Sequence, residues 1–282
     1  MWNKNVETFL GCDSGYQEAA IVLLGAPFDA TTSYRPGARF ASRAMRAESY
    51  GLETFSPYLE RDMSELAVYD AGDLELPFGE TARALDMLEA RLAAALDDGK
   101  LPLLLGGEHL VTLAAVRALA AREPDLHILH FDAHADLRDD YLGARLSHAC
   151  VLRRCWELVG DGRIFQFGVR SGDKSEFDWG ASHVTTQRFD FSGLADTLAA
   201  LKDKPLYFTL DLDVLDPAVF PGTGTPEPGG VSFPALLEAV HALRGLRIVG
   251  CDLCELSPPY DPSGISTAAA CKILRELLLT IV

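Results

Sequence analysis

The chain is short of positive charge: 25 Lys and Arg stand against 41 Asp and Glu, a formal net of −16. Nucleic acids and anionic membrane surfaces recruit proteins through basic patches, so neither is expected as a partner. The negative excess serves solubility and favours encounter with small cations. Long hydrophobic runs are missing too. No apolar stretch approaches the roughly 20 residues a helix needs to cross a bilayer, and no charged segment leading into an apolar one opens the chain. A cytoplasmic protein without membrane attachment is the expectation. Cysteine is sparse, six in 282 residues, too few for a disulfide framework. Cys251 and Cys254 mimic half of a zinc ribbon, but they end an apolar run and, three apart on a strand, would point to opposite faces. All six are expected as reduced, packed thiols. No Pro- or Ser-rich linker, low-complexity tract or internal repeat divides the sequence, so residues 1–282 read as one domain.

What is present is alternation. Eight short β-rich runs lie near 20–26, 66–70, 102–105, 127–132, 163–168, 183–185, 206–211 and 247–252. Several are apolar almost throughout, as strands covered on both faces are. Helix-period segments separate them at 80–98, 110–122, 149–158, 191–202, 234–243 and 267–279. Right-handed strand–helix crossovers of this kind give a three-layer α/β/α fold around a mostly parallel eight-stranded sheet.

Chemistry gathers at the ends of the strands. Asp132, His134 and Asp136 alternate after one apolar run, and alternate side chains on extended backbone point the same way. Asp211 and Asp213 repeat the arrangement, Gly106-Gly107-Glu108-His109 closes a third run, and Asp252–Glu255 closes a fourth. Taken singly these have plain readings: aspartates favour solvated turns, Asp-x-Asp occurs in surface loops, and His109 alone would pass for a helix-cap histidine. Together, four motifs fall at the carboxyl edge where ligands bind in open α/β sheets. Four aspartates and two histidines are too oxygen-rich for structural zinc and richer in nitrogen than magnesium usually takes. Two Mn(II) ions fit best, with nickel, cobalt, iron or zinc as substitutes. Such a pair, about 3.5–4 Å apart, lowers the pKa of a shared water towards neutrality.

These motifs, in this order, resemble those of ureohydrolases of the arginase/agmatinase superfamily over nearly the whole chain. Beside the segments already named, Gly25-Ala26-Pro27-Phe28-Asp29, Ser33-Tyr34-Arg35-Pro36-Gly37-Ala38-Arg39, Ser147-His148, Asp216-Pro217 and Glu255-Leu256-Ser257-Pro258-Pro259-Tyr260-Asp261 also match. The first two and the last resemble the agmatinase branch more than arginase. The resemblance implies an arginase-like fold, a binuclear manganese centre and hydrolysis of agmatine to putrescine and urea, a step of polyamine biosynthesis. By position His109, Asp132, Asp136 and Asp211 would hold one ion, and Asp132, His134, Asp211 and Asp213 the other. A metal-bridging hydroxide would attack the guanidinium carbon. Glu255 would pair with the small cationic guanidino substrate, and His148 with Asp136 would assist departure of the amine. A homotrimer or hexamer is likewise implied.

Some positions depart from the family pattern. Glu108 replaces an aspartate and would orient His109 from behind. Ala149 replaces a glycine after His148. Arg138 stands where arginases offer an asparagine to the amino acid's carboxylate, which disfavours L-arginine. Arg138 reads as a solvated loop charge, the alternative being a partner for the carboxylate of 4-guanidinobutanoate. Asp173 reads as a surface turn, the alternative being a partner for a distal amine. His127, His130, His183 and His241 match no motif and read as structural or exposed; Arg35 and Arg39 read as braces for loops or subunit contacts. Hydrolysis of 4-guanidinobutanoate or another guanidino compound is the nearest alternative function; a non-catalytic metal-binding homologue is a further one, opposed by the intact ligand set and Glu255.

Overall fold

The computed structural model describes residues 7–282; residues 1–6, on which part of the expectation about a leader falls, lie outside the described residues. The strands are β1 Ile21–Gly25, β2 Phe55–Ser56, β3 Arg61–Asp62, β4 Val68–Asp73, β5 Leu101–Leu105, β6 His127–Phe131, β7 Ile164–Val169, β8 Thr185–Arg188, β9 Leu206–Asp211 and β10 Ile248–Cys254. The helices are α1 Ala41–Ser49, α2 Thr81–Asp97, α3 Thr112–Ala120, α4 Val151–Val159, α5 Lys174–Gly180, α6 Leu194–Ala200, α7 Phe233–His241 and α8 Ile265–Ile281. Eight strands form one sheet in the order β4-β1-β5-β10-β9-β6-β7-β8. Every pairing within it is parallel. The pair β2–β3 is a separate antiparallel ribbon.

Period-two alternation builds the layers. Leu103, Leu105, Leu129, Phe131, Phe208 and Leu210 face one side, where Met45 of α1, Leu198 of α6, Leu236 of α7 and Leu274 of α8 cover them. Leu24, Leu104, Ile128 and Tyr207 face the other, against Leu85 of α2, Leu113 of α3 and Leu152 of α4. Both faces are dry, which is why these strands are apolar throughout. Burying a Leu or Phe side chain contributes about 1.5–3 kcal/mol, so the central strands are the most stable part of the fold.

The topology also makes a crevice. After β5 the chain crosses over to β6, and β9 and β10 later fill the space between. The four strands carrying the motifs, β5, β10, β9 and β6, are therefore neighbours at the centre of the sheet, where strand order reverses and ligands bind. Among the described residues no helix is long and apolar enough to cross a membrane. All six cysteines are free and buried.

Candidate metal centre and substrate cavity

The carboxyl ends of β5, β6, β9 and β10 bring all the candidate ligands together. His109 starts a short 3-10 turn after β5. Its approach needs Gly107, where a Cβ would come within 1.8 Å of the Phe28 carbonyl oxygen. His109 Nδ1 lies 3.1 Å from Asp132 Oδ2, 3.0 Å from Asp136 Oδ2 and 3.6 Å from Asp211 Oδ2. His134 Nδ1 lies 3.0 Å from Asp213 Oδ2 and 3.5 Å from Asp132 Oδ1. Two histidine nitrogens thus each face a group of carboxylates, with Asp132 common to both.

The alternation expected for Asp132, His134 and Asp136 is corrected in one respect. β6 ends at Phe131, and Asp136 has a left-handed backbone with φ 54°. Asp136 reaches the centre by this strained turn rather than by extended geometry. Its carbonyl accepts the N–H groups of Leu152 and Arg153, so the turn is locked to the first residues of α4. Glu255 is the other strained acid of the site, at φ 66° just past β10. Its Oε1 accepts the His109 backbone N–H at 2.7 Å.

The hydrogen-bond wiring fixes the tautomer of His109. Asp252, buried in β10, accepts from the hydroxyls of Thr209 at 2.7 Å and Thr112 at 2.8 Å, and from Tyr207. With its single proton given to Asp252, Thr209 Oγ1 accepts from His109 Nε2, 2.8 Å away. The Nδ1 lone pair then points at three carboxylate oxygens, an all-acceptor arrangement that demands a cation between them. Burial lowers the His109 pKa, but Asp132 and Asp136 outweigh it and hold it well above the usual histidine range. His134 is raised in the same way, its burial overcome by Asp213 and Asp132. Burial and then Asp132 push Asp136 up to about 7, and burial with Asp213 and Asp132 raises Asp211 well above the carboxylate range. Clustered buried carboxylates of this kind are stable as anions only around cations. The donor chemistry fits two divalent ions.

His130, read as structural or exposed, is fully buried beside the centre. Distance alone groups it with His109 and Asp132 as a possible ligand set. Its hydrogen bonds exclude that. The Gln166 amide is oriented by donating to the Ala135 carbonyl at 2.7 Å and accepting from Thr186 at 2.9 Å. Its nitrogen therefore also donates to His130 Nδ1 at 3.0 Å, which leaves the His130 proton on Nε2, directed at Asp132 Oδ2 2.8 Å away. His130 supports Asp132 rather than binding an ion.

Glu108 is corrected as well. It does not touch the His109 ring but is buried against the loop after β1. It accepts from the Thr31 backbone N–H at 2.8 Å and from the hydroxyls of Thr31 and Thr32. Thr31 Oγ1 in turn accepts the His148 backbone N–H at 3.0 Å, and Ser33 Oγ stands 3.2 Å from His148 Nε2. Burial lifts Glu108 to about 7 against these donors. Burial, then His134 and His109, pulls His148 down to about 4, so its ring is neutral at physiological pH. Thr31 lies between two motifs matched in the sequence and Ser33 opens the second, yet only their proximity to His148 reveals their part.

A cavity of about 290 Å³ opens over the centre, lined by His134, Asp136, Asp211, Glu255, His148 and the pair Arg138–Asp173. Arg138 is thus not a solvated loop charge: it donates to Asp173, and its guanidinium lies 4.8 Å from the Tyr141 ring. Asp173, read as a surface turn, lines the same cavity. Arg39 braces Asp29, as expected.

Comparison with known proteins places nearly the whole chain in a family. The sequence model described as "Arginase family" matches residues 19–280. The chain belongs to the arginase family. An agmatinase of Bacillus anthracis is 45% identical over 278 residues, which covers 97% of this chain and 96% of that one. A guanidinobutyrase of Pseudomonas aeruginosa is 34% identical, covering 93% and 85%. Among solved structures, the agmatine ureohydrolase of Thermoplasma volcanium superimposes with a TM-score of 0.90 at 34% identity, covering 99% and 95%. In this arginase-family chain, the three-layer fold expected from the alternation is the fold of such relatives.

Proposed function

We propose that the chain hydrolyses agmatine to putrescine and urea with two manganese ions, as a step of polyamine synthesis. The observation that carries this reading is the pair of histidine Nδ1 atoms facing shared buried carboxylates, with the acid Glu255 in the same cavity. The agmatinase relative that aligns over nearly the whole chain favours agmatine among guanidino compounds. His109, Asp132, Asp136 and Asp211 would hold one ion, and Asp132, His134, Asp211 and Asp213 the other. When bound, the ions supply Lewis acidity that makes hydroxide available near neutral pH.

The chain's own groups do the rest. Glu255 is buried, and burial together with Glu108 raises its pKa well above the carboxylate range. An arriving guanidinium relieves that penalty by donating paired N–H groups to the carboxylate and neutralising its charge, so binding and ionisation of Glu255 reinforce each other. His148, neutral and held by Thr31 and Ser33, takes up a proton at Nε2 and passes it towards the departing amine, a transfer in which Asp136 shares. The balance is guanidinium plus water to urea plus alkylammonium.

Glu255→Gln tests the assignment. The variant should keep two manganese ions per chain by elemental analysis and lose at least about a hundredfold in urea release from agmatine. Near-normal turnover with both ions present would remove Glu255 from the site.

A further inference from the structure

The cavity over the metal centre is unevenly charged. Five carboxylates line it, Asp136, Asp173, Glu176, Asp211 and Glu255, against one guanidinium, Arg138. Four of the acids are spoken for by the centre, the guanidinium site or the backbone. Glu176 is buried, and its two oxygens accept the backbone N–H groups of Leu137 at 2.9 Å and Asp173 at 2.7 Å. Asp173 caps the start of α5, yet its side chain is 54% exposed, and its one ionic partner there is Arg138.

We propose that Asp173 selects the charge of the substrate's tail, by meeting a distal ammonium and by holding Arg138 away from a distal carboxylate. The inference rests on the guanidino-hydrolase reading above and specifies its substrate class. Arg138 Nη1 donates to Asp173 Oδ2, its Nε lies 3.5 Å from Glu176 Oε2, and its plane is held over Tyr141. Between these two acids the guanidinium is overcompensated, so the far end of the cavity carries a net negative charge. A guanidino compound with a cationic tail finds Asp173 at little cost, because a partly exposed ion pair contributes only about 0–1 kcal/mol and opens readily. A compound with an anionic tail has to displace Asp173 from Arg138 and then sit beside it. The same Arg138 that suggests a carboxylate site in the sequence is thereby withheld from one.

The consequence is a charge switch in a single side chain. Asp173→Asn removes the charge, retains the shape, and suits the first turn of α5, since Asn and Asp are equivalent at a helix N-cap. Freed from Asp173, the Arg138 fork faces the cavity and can pair with a carboxylate in bidentate fashion.

The test uses the manganese-loaded full chain, with kcat/KM measured for agmatine, 4-guanidinobutanoate and the uncharged-tail probe butylguanidine. In Asp173→Asn, agmatine should fall by about tenfold, 4-guanidinobutanoate should rise by about tenfold, and butylguanidine should stay within about twofold. Adding Arg138→Ala should abolish the gain on the acid. Parallel changes for all three substrates would overturn the proposal, as would a gain on the acid that survives loss of Arg138. Should the unaltered chain prefer 4-guanidinobutanoate, the agmatine assignment fails. The direction in which Asp173→Asn moves the ratio still decides the role of Asp173.

Discussion

At the scale of single residues, the centre depends on groups that never touch an ion. The Asp252–Thr209–His109 chain sets which nitrogen of His109 carries its proton, and Gln166–His130 does the same for the donor to Asp132. Outer partners of this kind typically account for 10–100-fold in metal affinity. Thr209→Val should therefore weaken manganese binding by about ten- to a hundredfold, read by competition with a fluorescent chelator, with Thr209→Ser restoring it. Unchanged affinity in the valine variant would mean that Thr209 does not set the tautomer. The ligand candidates were legible because Asp-x-His and Asp-x-Asp are compact motifs. Their supports were not, because Thr209 and Gln166 are ordinary residues within strands and act only across the sheet. Glu108 shows the limit most plainly: its neighbour in sequence is a ligand candidate, while its partners in space are Thr31 and Thr32.

At the scale of elements, the apolar strands and the amphipathic helices were readable because each buries a regular stripe. The exceptions are instructive. Strand β8, expected near 183–185, runs from Thr185 to Arg188; it lies at the sheet edge and is too polar to announce itself. Helices α1 and α5 went unread because Ala41–Ser49 is polar with a buried arginine, Arg46, and Lys174–Gly180 spans only two turns. Arg46 is tied to Asp70 at 2.8 Å and reaches Asp73, so a charge stands where the helical pattern would require a hydrophobe. Close backbone packing is the other feature set at this scale. Gly107→Ala puts a methyl into the Phe28 carbonyl and must push apart the end of β5 and the loop after β1. It should cost about 1–3 kcal/mol in chemical denaturation and lower the occupancy of the His109-side ion. Wild-type stability in this variant would show that the loop yields freely.

For the whole molecule, the crossover from β5 to β6 is what turns scattered motifs into one centre, by making their strands neighbours. That step was within reach of the sequence only as a rule about strand ends, since strand order is a tertiary property. The same convergence leaves several buried acids in one place, so the fold and the ions should be linked. Manganese at a hundredfold excess over its dissociation constant should add about 2.7 kcal/mol for each ion bound, seen as a rise of several degrees in melting temperature that chelation reverses. A melting temperature indifferent to manganese would contradict the linkage.

The most direct measurement is anomalous diffraction at the manganese edge from crystals grown with the metal. Two peaks per chain are expected, one beside His109 and one beside His134, with Asp132 and Asp211 reaching both and His130 reaching neither. A single peak, or one shared by His109 and His130, would contradict the two-ion centre built on the ends of β5, β6 and β9.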